Sequence, residues 1–530
     1  MSEPRPLLVQ TAGGFSLRYG ERWLYSRYQP EGAAEKTVLD IPVEPDTLYL
    51  LISPCLCHGV HLLAGKLHPS SAVFGIELNS SLLTVAKESF AQLKLDPHRF
   101  RLCTSTSLDT ILSEVAESGR FRRVKEVRLS GGRDLYPGEY DRLVDTIAIN
   151  NRLTWRNRMT LVRLGRLWVK NIIANLATLP WEQITLPKAI HRPVLLCGAG
   201  PSLNQALPWI RKNSSNLIIM AVDTAAGALA QAGIQPDYVI CLEAQAHNLP
   251  DFTPLTGLEF TLVSDISAHP ASFRLVKGSI NLVSSQWMNN HFLKRLSNAS
   301  LPIHAVPPLG SVGVLAAKIA VDQGQHIFLA GLDFSFLPGI THCTGSPSDL
   351  AERRLETRLY KQNRNWALSW GHGVFPTAGG SLGNAILSMY ASCASIELYG
   401  ATVYDLRGGF GLPLPSRAIN YEQADELLGS GLSAVAASIS NDTAETINYR
   451  TAATAFLENE LTLARELASS LRSGSSHQLG KIIADCDYMY AHFPDPERVE
   501  AMEIDALKRL ALEAGYWQNR LQTALEGIRI

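Results

Sequence analysis

From about residue 190 to residue 405, short apolar runs alternate with stretches whose apolar residues recur every three or four positions. Val194–Leu196, Leu217–Val222, Tyr238–Leu242, Phe260–Val263, Ile280–Val283 and Ile327–Leu332 are the runs. They are too short for helices and nearly free of polar residues, which predicts strands buried on both faces of a parallel sheet. Helices are predicted between them, over Thr224–Ala232, stopped by Gly233 and Pro236, and over Val314–Gln323. His304 to Gly313 reads as a loop feeding the second of these helices. Asn384–Ser395 is predicted as a helix and Ile396–Leu398 as a strand.

The same reading divides the whole chain. Residues 1–145 carry strand candidates at Trp23–Tyr28, Leu48–Ile52 and Ala72–Ile76, with a helix over His58–Leu67. Glu77 closes the third strand, a pattern of nucleotide-binding or methyltransferase-like halves. The loop Ser53–Gly59 is poor in glycine, so a structural domain without cofactor is expected there. Residues 146–190 form a helical connector. Trp155, Met159, Leu161, Leu164, Leu167 and Trp168 recur at helical spacing among Arg152, Arg156, Arg158, Arg163 and Arg166. Residues 191–415 form the central domain, and 416–530 are helical in pattern. Within the central domain, residues 349–366 are strongly charged and read as a surface helix or lid. The expected fold is α/β: a central Rossmann-like, mostly parallel sheet domain, an N-terminal α/β domain and a C-terminal helical domain.

Composition narrows the classes of function. The 530 residues are 46% hydrophobic and 18% charged, with a net charge of −1, so no general electrostatic attraction to nucleic acid is expected. The eight cysteines are scattered without a paired C-x-x-C set, which predicts reduced, buried thiols in a cytoplasmic protein. The first residues, MSEPRPLLVQTAGG, lack the pattern of a signal peptide. The most apolar stretches are interrupted by Asp223 and Glu397, so no transmembrane segment is expected.

The candidate chemistry gathers where the strands end. Val194–Leu196 runs into Gly198-Ala199-Gly200-Pro201-Ser202, a glycine loop entering a helix, where free N–H groups and the helix dipole favour an anion. A third glycine is absent, since Leu203 stands there, and so is a P-loop lysine. Neither an ordinary NAD site nor a Walker A site results. Asp223 and Glu243 close the next two strands and are expected to converge on the loop. Gly310-Ser311 starts a second helix and forms a second anion candidate. Asp333 closes the Ile327–Leu332 strand.

Six stretches together carry a resemblance: GAGPSL (198–203), AVDTA (221–225), GIQPDYVICLE (233–243), GSVGVLAAKIAVDQGQHIFLAGLDFSF (310–336), ITHCTG (340–345) and VYDLRGGFGLPLP (403–415). The lead-in stretch NRMTLVRLGRLWVKNIIANL (157–176) adds to it. The chain resembles the motility accessory factors, flagellin glycosyltransferases of flagellated bacteria. The central domain of that family is similar to bacterial sialyltransferases and to an archaeal hydroxymethylpterin diphosphokinase. The resemblance departs at Glu243, where aspartate is expected, and leaves a metal undecided.

This resemblance implies transfer of a nonulosonic sugar from a CMP-sugar to Ser or Thr of flagellin. Flagellin and the nucleotide-sugar donor are then the partners. Gly198, Gly200, Pro201 and Ser202 are expected around the donor phosphate, Asp223 near its ribose or base, and Gly310 and Ser311 at its carboxylate; Asp223 and Glu243 together would hold a divalent ion if the chain acts as a diphosphokinase. His342 is the expected general base, with His372 and His304 as second choices, and Asp333 is expected to orient the site, bind a cation or cap its loop through hydrogen bonds. An ATP-dependent pterin diphosphokinase-like enzyme and a non-catalytic flagellin-binding factor are the alternatives.

Overall fold

The computed structural model describes residues 4–117, 121–287, 290–359, 365–371, 373–430, 432, 448–473 and 476–528. Two compact units make up the chain, Met1–Leu161 and Val162–Ile530.

The first unit begins with an antiparallel sheet, β1 (Pro6–Thr11), β2 (Gly14–Tyr19) and β3 (Arg22–Trp23). Helix α1 (Pro30–Asp40) follows. The next elements alternate: β4 (Thr47–Ile52), α2 (Val60–Lys66), β5 (Ala72–Ile76), α3 (Ser80–Gln92), β6 (Phe100–Leu102), α4 (Leu108–Glu117) and β7 (Arg123–Arg128). Their four strands pair in parallel in the order β6-β5-β4-β7, with every residue of β4 and β5 buried. This is the half-Rossmann arrangement expected of the strand–helix alternation. Its crevice is lined by the chain itself. Glu77 Oε2 accepts the Ser53 hydroxyl at 2.6 Å, and Oε1 accepts from Asn79 N at 2.9 Å and the Tyr140 hydroxyl at 3.2 Å. Tyr25 donates to Pro54 O at 2.6 Å, and Cys55 packs among Leu17, Tyr19, Leu24 and Tyr25 of the antiparallel sheet and the turn after it. The strand expected over Trp23–Tyr28 is confined to Arg22–Trp23, because Leu24 and Tyr25 turn inward to cover that crevice.

Helix α5 (Pro137–Thr178) is 42 residues long and carries the chain into the second unit. The side chains of Arg152 and Arg156 lie outside the described residues. On its last turns Asn171 and Asn175 are buried, four positions apart and so on one face. Asn171 donates to Ala244 O and Ser267 O, both at 2.9 Å; Asn175 donates to Ile266 O at 2.7 Å and Ala268 O at 2.9 Å.

The sheet of the second unit starts with β8 (Val194–Cys197), α6 (Leu203–Asn213), β9 (Ile218–Val222), α7 (Asp223–Gln231) and β10 (Tyr238–Cys241). It continues with β11 (Thr261–Asp265), α8 (Pro270–Arg274), β12 (Ile280–Ser285), α9 (His291–Ser297), β13 (Ile303–Val306), α10 (Val312–Gln323) and β14 (His326–Ala330). Then come α11 (Pro347–Leu355), α12 (Asn365–Ser369), the short hairpin β15 (Phe375–Pro376) and β16 (Leu382–Gly383), α13 (Ala385–Leu398), β17 (Thr402–Asp405) and β18 (Arg417–Ala418). Nine strands pair in the order β13-β12-β11-β10-β9-β8-β14-β17-β18, all parallel. The chain builds outward from β8 on one side, and α10 returns it to β14 on the other. The strand order therefore reverses between β8 and β14, the place where open parallel sheets bind ligands.

Two sequence expectations are corrected here. Ile396–Leu398 is the last turn of α13, and the strand falls at Thr402–Asp405 after a turn at Gly400, whose φ is 80°. His304–Val306, read as loop, is part of edge strand β13. The tail is helical where described: α14 (Tyr421–Gly429), α15 (Tyr449–Ser473), α16 (Ser476–Asp485), α17 (Glu497–Glu500) and α18 (Ile504–Ile528). It shares one hydrophobic core with the sheet. Glu460 of α15, fully buried, holds Arg295 of α9 through two bonds of 2.6 and 2.9 Å.

Candidate functional site

Three groups of side chains stand at the carboxyl edge of the large sheet. The first is the glycine loop after β8. Gly198 N donates to Ala330 O at 2.8 Å and Gly200 N to Gly331 O at 2.7 Å. Ser202 N donates to Asp333 Oδ2 at 2.9 Å and its hydroxyl to Asp333 Oδ1 at 2.5 Å. Pro201 has no N–H, so Ala199 supplies the remaining N–H of the run, and its carbonyl accepts from Cys343 N at 2.8 Å. The loop after β8 is thus bound to the loop after β14. A Cβ at Gly198 would lie 2.4 Å from Gly331 O, and one at Gly200 would lie 2.4 Å from Asp333 Oδ2. Both glycines are required by the approach of two backbones.

Asp333 is buried, which pushes its carboxyl above the ordinary range, while the bonds from Ser202 oppose the shift. Arg407 completes the clamp. It is 3% exposed, pairs with Asp405 through Nε and Nη2, and donates from Nη1 to Leu332 O at 2.9 Å and Leu412 O at 3.0 Å. Helix α10 begins nearby: a Cβ on Gly313 would meet Leu332 Cδ1 at 3.0 Å. Gly310 has a φ of 70°, and Ser311 Oγ caps the helix by accepting from Gly313 N at 3.3 Å.

The second group lies at the start of α7. Asp223 and Asp251, 4% and 6% exposed, face one another across the Thr224 hydroxyl, 3.3 Å from Asp223 Oδ1 and 3.2 Å from Asp251 Oδ2. Asn248 donates to Asp223 Oδ2 at 2.5 Å. The single Thr224 hydroxyl proton is shared between the two carboxyl groups, and Asp223 Oδ1 also accepts from Thr224 N at 2.8 Å. Burial and the Asp223 charge push Asp251 up to about 7, and burial raises Asp223 as well. Glu243 sits apart from this pair: its Oε1 accepts from Gln245 N at 2.9 Å, and its Oε2 lies 3.6 Å from His247 Nε2. Among the described residues no hydrogen bond joins Glu243 to Asp223, and Asp251 takes the place expected of it. Asp251 is legible only as an acid in a proline-flanked stretch, Pro250 to Pro254, eight residues beyond Glu243.

The third group surrounds His342. The loop after β14 runs over the first turn of α6, where Thr344 N donates to Asn204 Oδ1 at 3.0 Å. His342 lines a cleft of about 270 Å³ with Thr341, Asp349, Glu352, Arg353 and Glu356. Its Nδ1 is 3.0 Å from Thr341 Oγ1, and burial pushes the imidazole below the ordinary histidine value. Arg353 is paired with Asp349 at 2.8 Å, whereas Glu352 Oε2 is buried with no hydrogen-bond partner among the described residues. His304 is exposed on edge strand β13, five strands from β8, and His372 lies outside the described residues.

Residues 170–339 match the family model described as 6-hydroxymethylpterin diphosphokinase MptE-like. The solved structure of the MAf glycosyltransferase from Magnetospirillum magneticum AMB-1 superposes with a TM-score of 0.55 at 12% identity, covering 100% of this chain and 90% of that one. The resemblance read from the sequence is borne out. The α/β fold with its helical C-terminal region is shared with that glycosyltransferase. An uncharacterized protein of Treponema pallidum (strain Nichols) is 27% identical over 97% of this chain and 94% of its own length. A second from the same organism is 32% identical over 18% of this chain and 48% of its own. No described helix is long and apolar enough to cross a membrane.

The matched region contains the Ser202–Asp333 clamp, the Asp223–Asp251 pair and the start of the His342 loop. It stops at residue 339, three residues short of His342 itself, and short of Arg407.

Proposed function

We propose that the protein is a glycosyltransferase that moves a nonulosonic sugar from a CMP-sugar to a Ser or Thr hydroxyl of flagellin in the cytoplasm. The observation that carries this reading is His342: an imidazole whose pKa burial lowers, on the loop beyond β14, in the wall of a cleft between that loop and α11. The acceptor oxygen attacks the anomeric carbon, and the bond from that carbon to the phosphate oxygen breaks. CMP leaves with the electron pair. His342 takes the acceptor proton. Likeness to the MAf glycosyltransferase over the whole chain supports the same reading. In the glycine loop the N–H groups of Gly198, Gly200 and Ser202 are bonded within the chain, which leaves the Ala199 N–H to meet the donor phosphate.

The test is transfer to purified flagellin from CMP-nonulosonate. Native protein is expected to modify flagellin, and His342→Ala to lose that activity with its melting temperature unchanged. Unaltered modification by His342→Ala would sink the role of the base.

One observation favours a second reading. The matching family model is described by a pterin diphosphokinase, and the Asp223–Asp251 pair is a carboxylate set of the kind that binds a nucleotide-bound divalent ion. Stabilisation by ATP with Mg²⁺, with none by CMP or CTP, would select it.

A further inference from the structure

The elements around the His342 cleft carry large apolar side chains in solvent. Ile340 lines the cleft itself and Leu355 stands on α11, and both are exposed. Helix α12 adds Trp366 and Leu368, also exposed, and Trp370 follows it with 84% of its surface in solvent. This helix is seated on the cleft lining. A Cβ on Gly339, a lining residue, would lie 2.8 Å from the Trp366 indole, and Gly339 N donates to Ser369 Oγ at 3.3 Å. Single exposed apolar residues are ordinary on a surface. Several on the elements that build one cleft, two of them tryptophans, mark a place that another molecule covers.

The charge of the cleft decides which reactant lies against it. Asp349, Glu352 and Glu356 bring three carboxylates, and the one cation, Arg353, is already paired with Asp349 at 2.8 Å. Among the described residues Glu352 and Glu356 have no ion-pair partner, and no group donates to the buried Oε2 of Glu352. A buried carboxylate oxygen without a donor is costly, and an ammonium or guanidinium brought by a ligand relieves it. A nucleotide-activated acidic sugar carries a phosphate and a carboxylate and brings no such cation. A polypeptide acceptor brings one on a lysine or arginine close to the hydroxyl that gives its proton to His342. It also brings apolar side chains to cover the tryptophans. An anionic lipid surface, the other common partner of exposed tryptophans, is repelled by the same carboxylates.

We propose that the His342 cleft and the tryptophans beside it are the docking surface for the acceptor polypeptide, and that Glu352 and Glu356 select a lysine or arginine next to the Ser or Thr to be modified. This rests on the transferase reading of the preceding subsection and adds to it the local sequence an acceptor must carry.

Two synthetic peptides, titrated against the full chain by fluorescence anisotropy, test it. Each has a serine flanked by leucine and phenylalanine, with lysine beside the serine in one and glutamate in the other. Native protein is expected to bind the lysine peptide about tenfold or more tightly than the glutamate peptide. Glu352→Gln combined with Glu356→Gln is expected to remove that preference. Trp370→Ala is expected to weaken the lysine peptide about tenfold with the melting temperature unchanged, since the ring is exposed in the free protein. Equal affinity for the two peptides, or none for either, overturns the surface. Transfer of sugar to flagellin then spares the transferase reading, and its absence as well overturns both. Self-association of native protein, or binding to phosphatidylglycerol vesicles, that Trp370→Ala abolishes assigns the tryptophans to a second copy or to a membrane and also overturns the surface.

Discussion

Asp333 holds Ser202 with both carboxylate oxygens, one on the backbone N–H at 2.9 Å and one on the hydroxyl at 2.5 Å. The two residues are 131 positions apart in the chain and close the loops after β8 and β14 on each other. Asp333, expected to orient the site, bind a cation or cap its loop, is thus placed as a clamp between the two loops. Asp333→Ala leaves two buried Ser202 donors unsatisfied and is expected to cost about 1.5–3 kcal/mol, as for hydrogen bonds to a charged group. Asp333→Asn, which keeps one acceptor, should cost less. Melting temperatures of the two variants without nucleotide check this; equal values for both and for native protein would remove the clamp.

Gly200→Ala tests the same interlock from the other side. Its Cβ would stand 2.4 Å from Asp333 Oδ2 and 2.7 Å from Gly331 O. The substitution is expected to destabilise by about 1–3 kcal/mol, the range for extra atoms forced into a packed interior. The loss should appear in thermal melts with no ligand added. A Gly200→Ala protein as stable as native, but unable to bind nucleotide, would return the loop to the phosphate.

The pH dependence of transfer should follow His342. Its folded pKa lies below the ordinary 6.5, because burial disfavours the imidazolium. The stability that the neutral ring contributes is present above 6.5 and is lost as pH falls through the folded value. The base is also competent only when neutral. The rate is therefore expected to rise with pH below about 6.5 and to be level from neutrality upward. A rate that still climbs between pH 7 and 8 would point to a different group.

Asp251 gives the opposite sign. Its folded value is pushed to about 7 from an ordinary 3.8, so the stability from its protonated form is complete below 3.8 and lost as pH rises through 7. Asp251→Asn keeps a neutral side chain at all pH. Its melting temperature is expected to exceed that of native protein above pH 7, by roughly 2 °C. The gap should narrow steadily from pH 7 to pH 4. A variant less stable than native at pH 8 would mean that the carboxylate is needed in its charged form.

The C-terminal helices are fastened by Arg295 and Glu460. Removing one partner strands the other, and Glu460→Ala, on the fully buried side, is expected to cost about 3–5 kcal/mol. Limited proteolysis should then cut between α14 and α18 faster than in native protein. Unchanged protection would show that the hydrophobic contacts suffice.

How far the sequence could be read depended on the range of the force involved. Val194–Cys197, Ile218–Val222 and Tyr238–Cys241 stood out because a strand buried on both faces has no room for polar side chains. The end of α13 was misplaced. In Ser395 to Leu398 polar and apolar residues alternate, which suits a strand, but the helix runs on through them and ends before Gly400, which takes a positive φ. Asp251 and Arg407 were missed because nothing local marks a carboxylate that will meet Asp223, or an arginine that will reach Leu332 O.

Local patterning alone determined the alternation of strands and helices, the parallel sheet, the helical tail and the positions of the glycines, since these depend on burial period and backbone freedom within a few residues. Tertiary structure decided what the glycines and acids are for. Gly198 and Gly200 meet Gly331 and Asp333 from more than a hundred residues away, and Asp223 acquires a partner from the stretch beyond β10. The sequence records which groups can donate, accept or turn. Only the closing of the sheet at β8 and β14 brings a particular donor within 3 Å of a particular acceptor, and thereby removes it from service to a ligand.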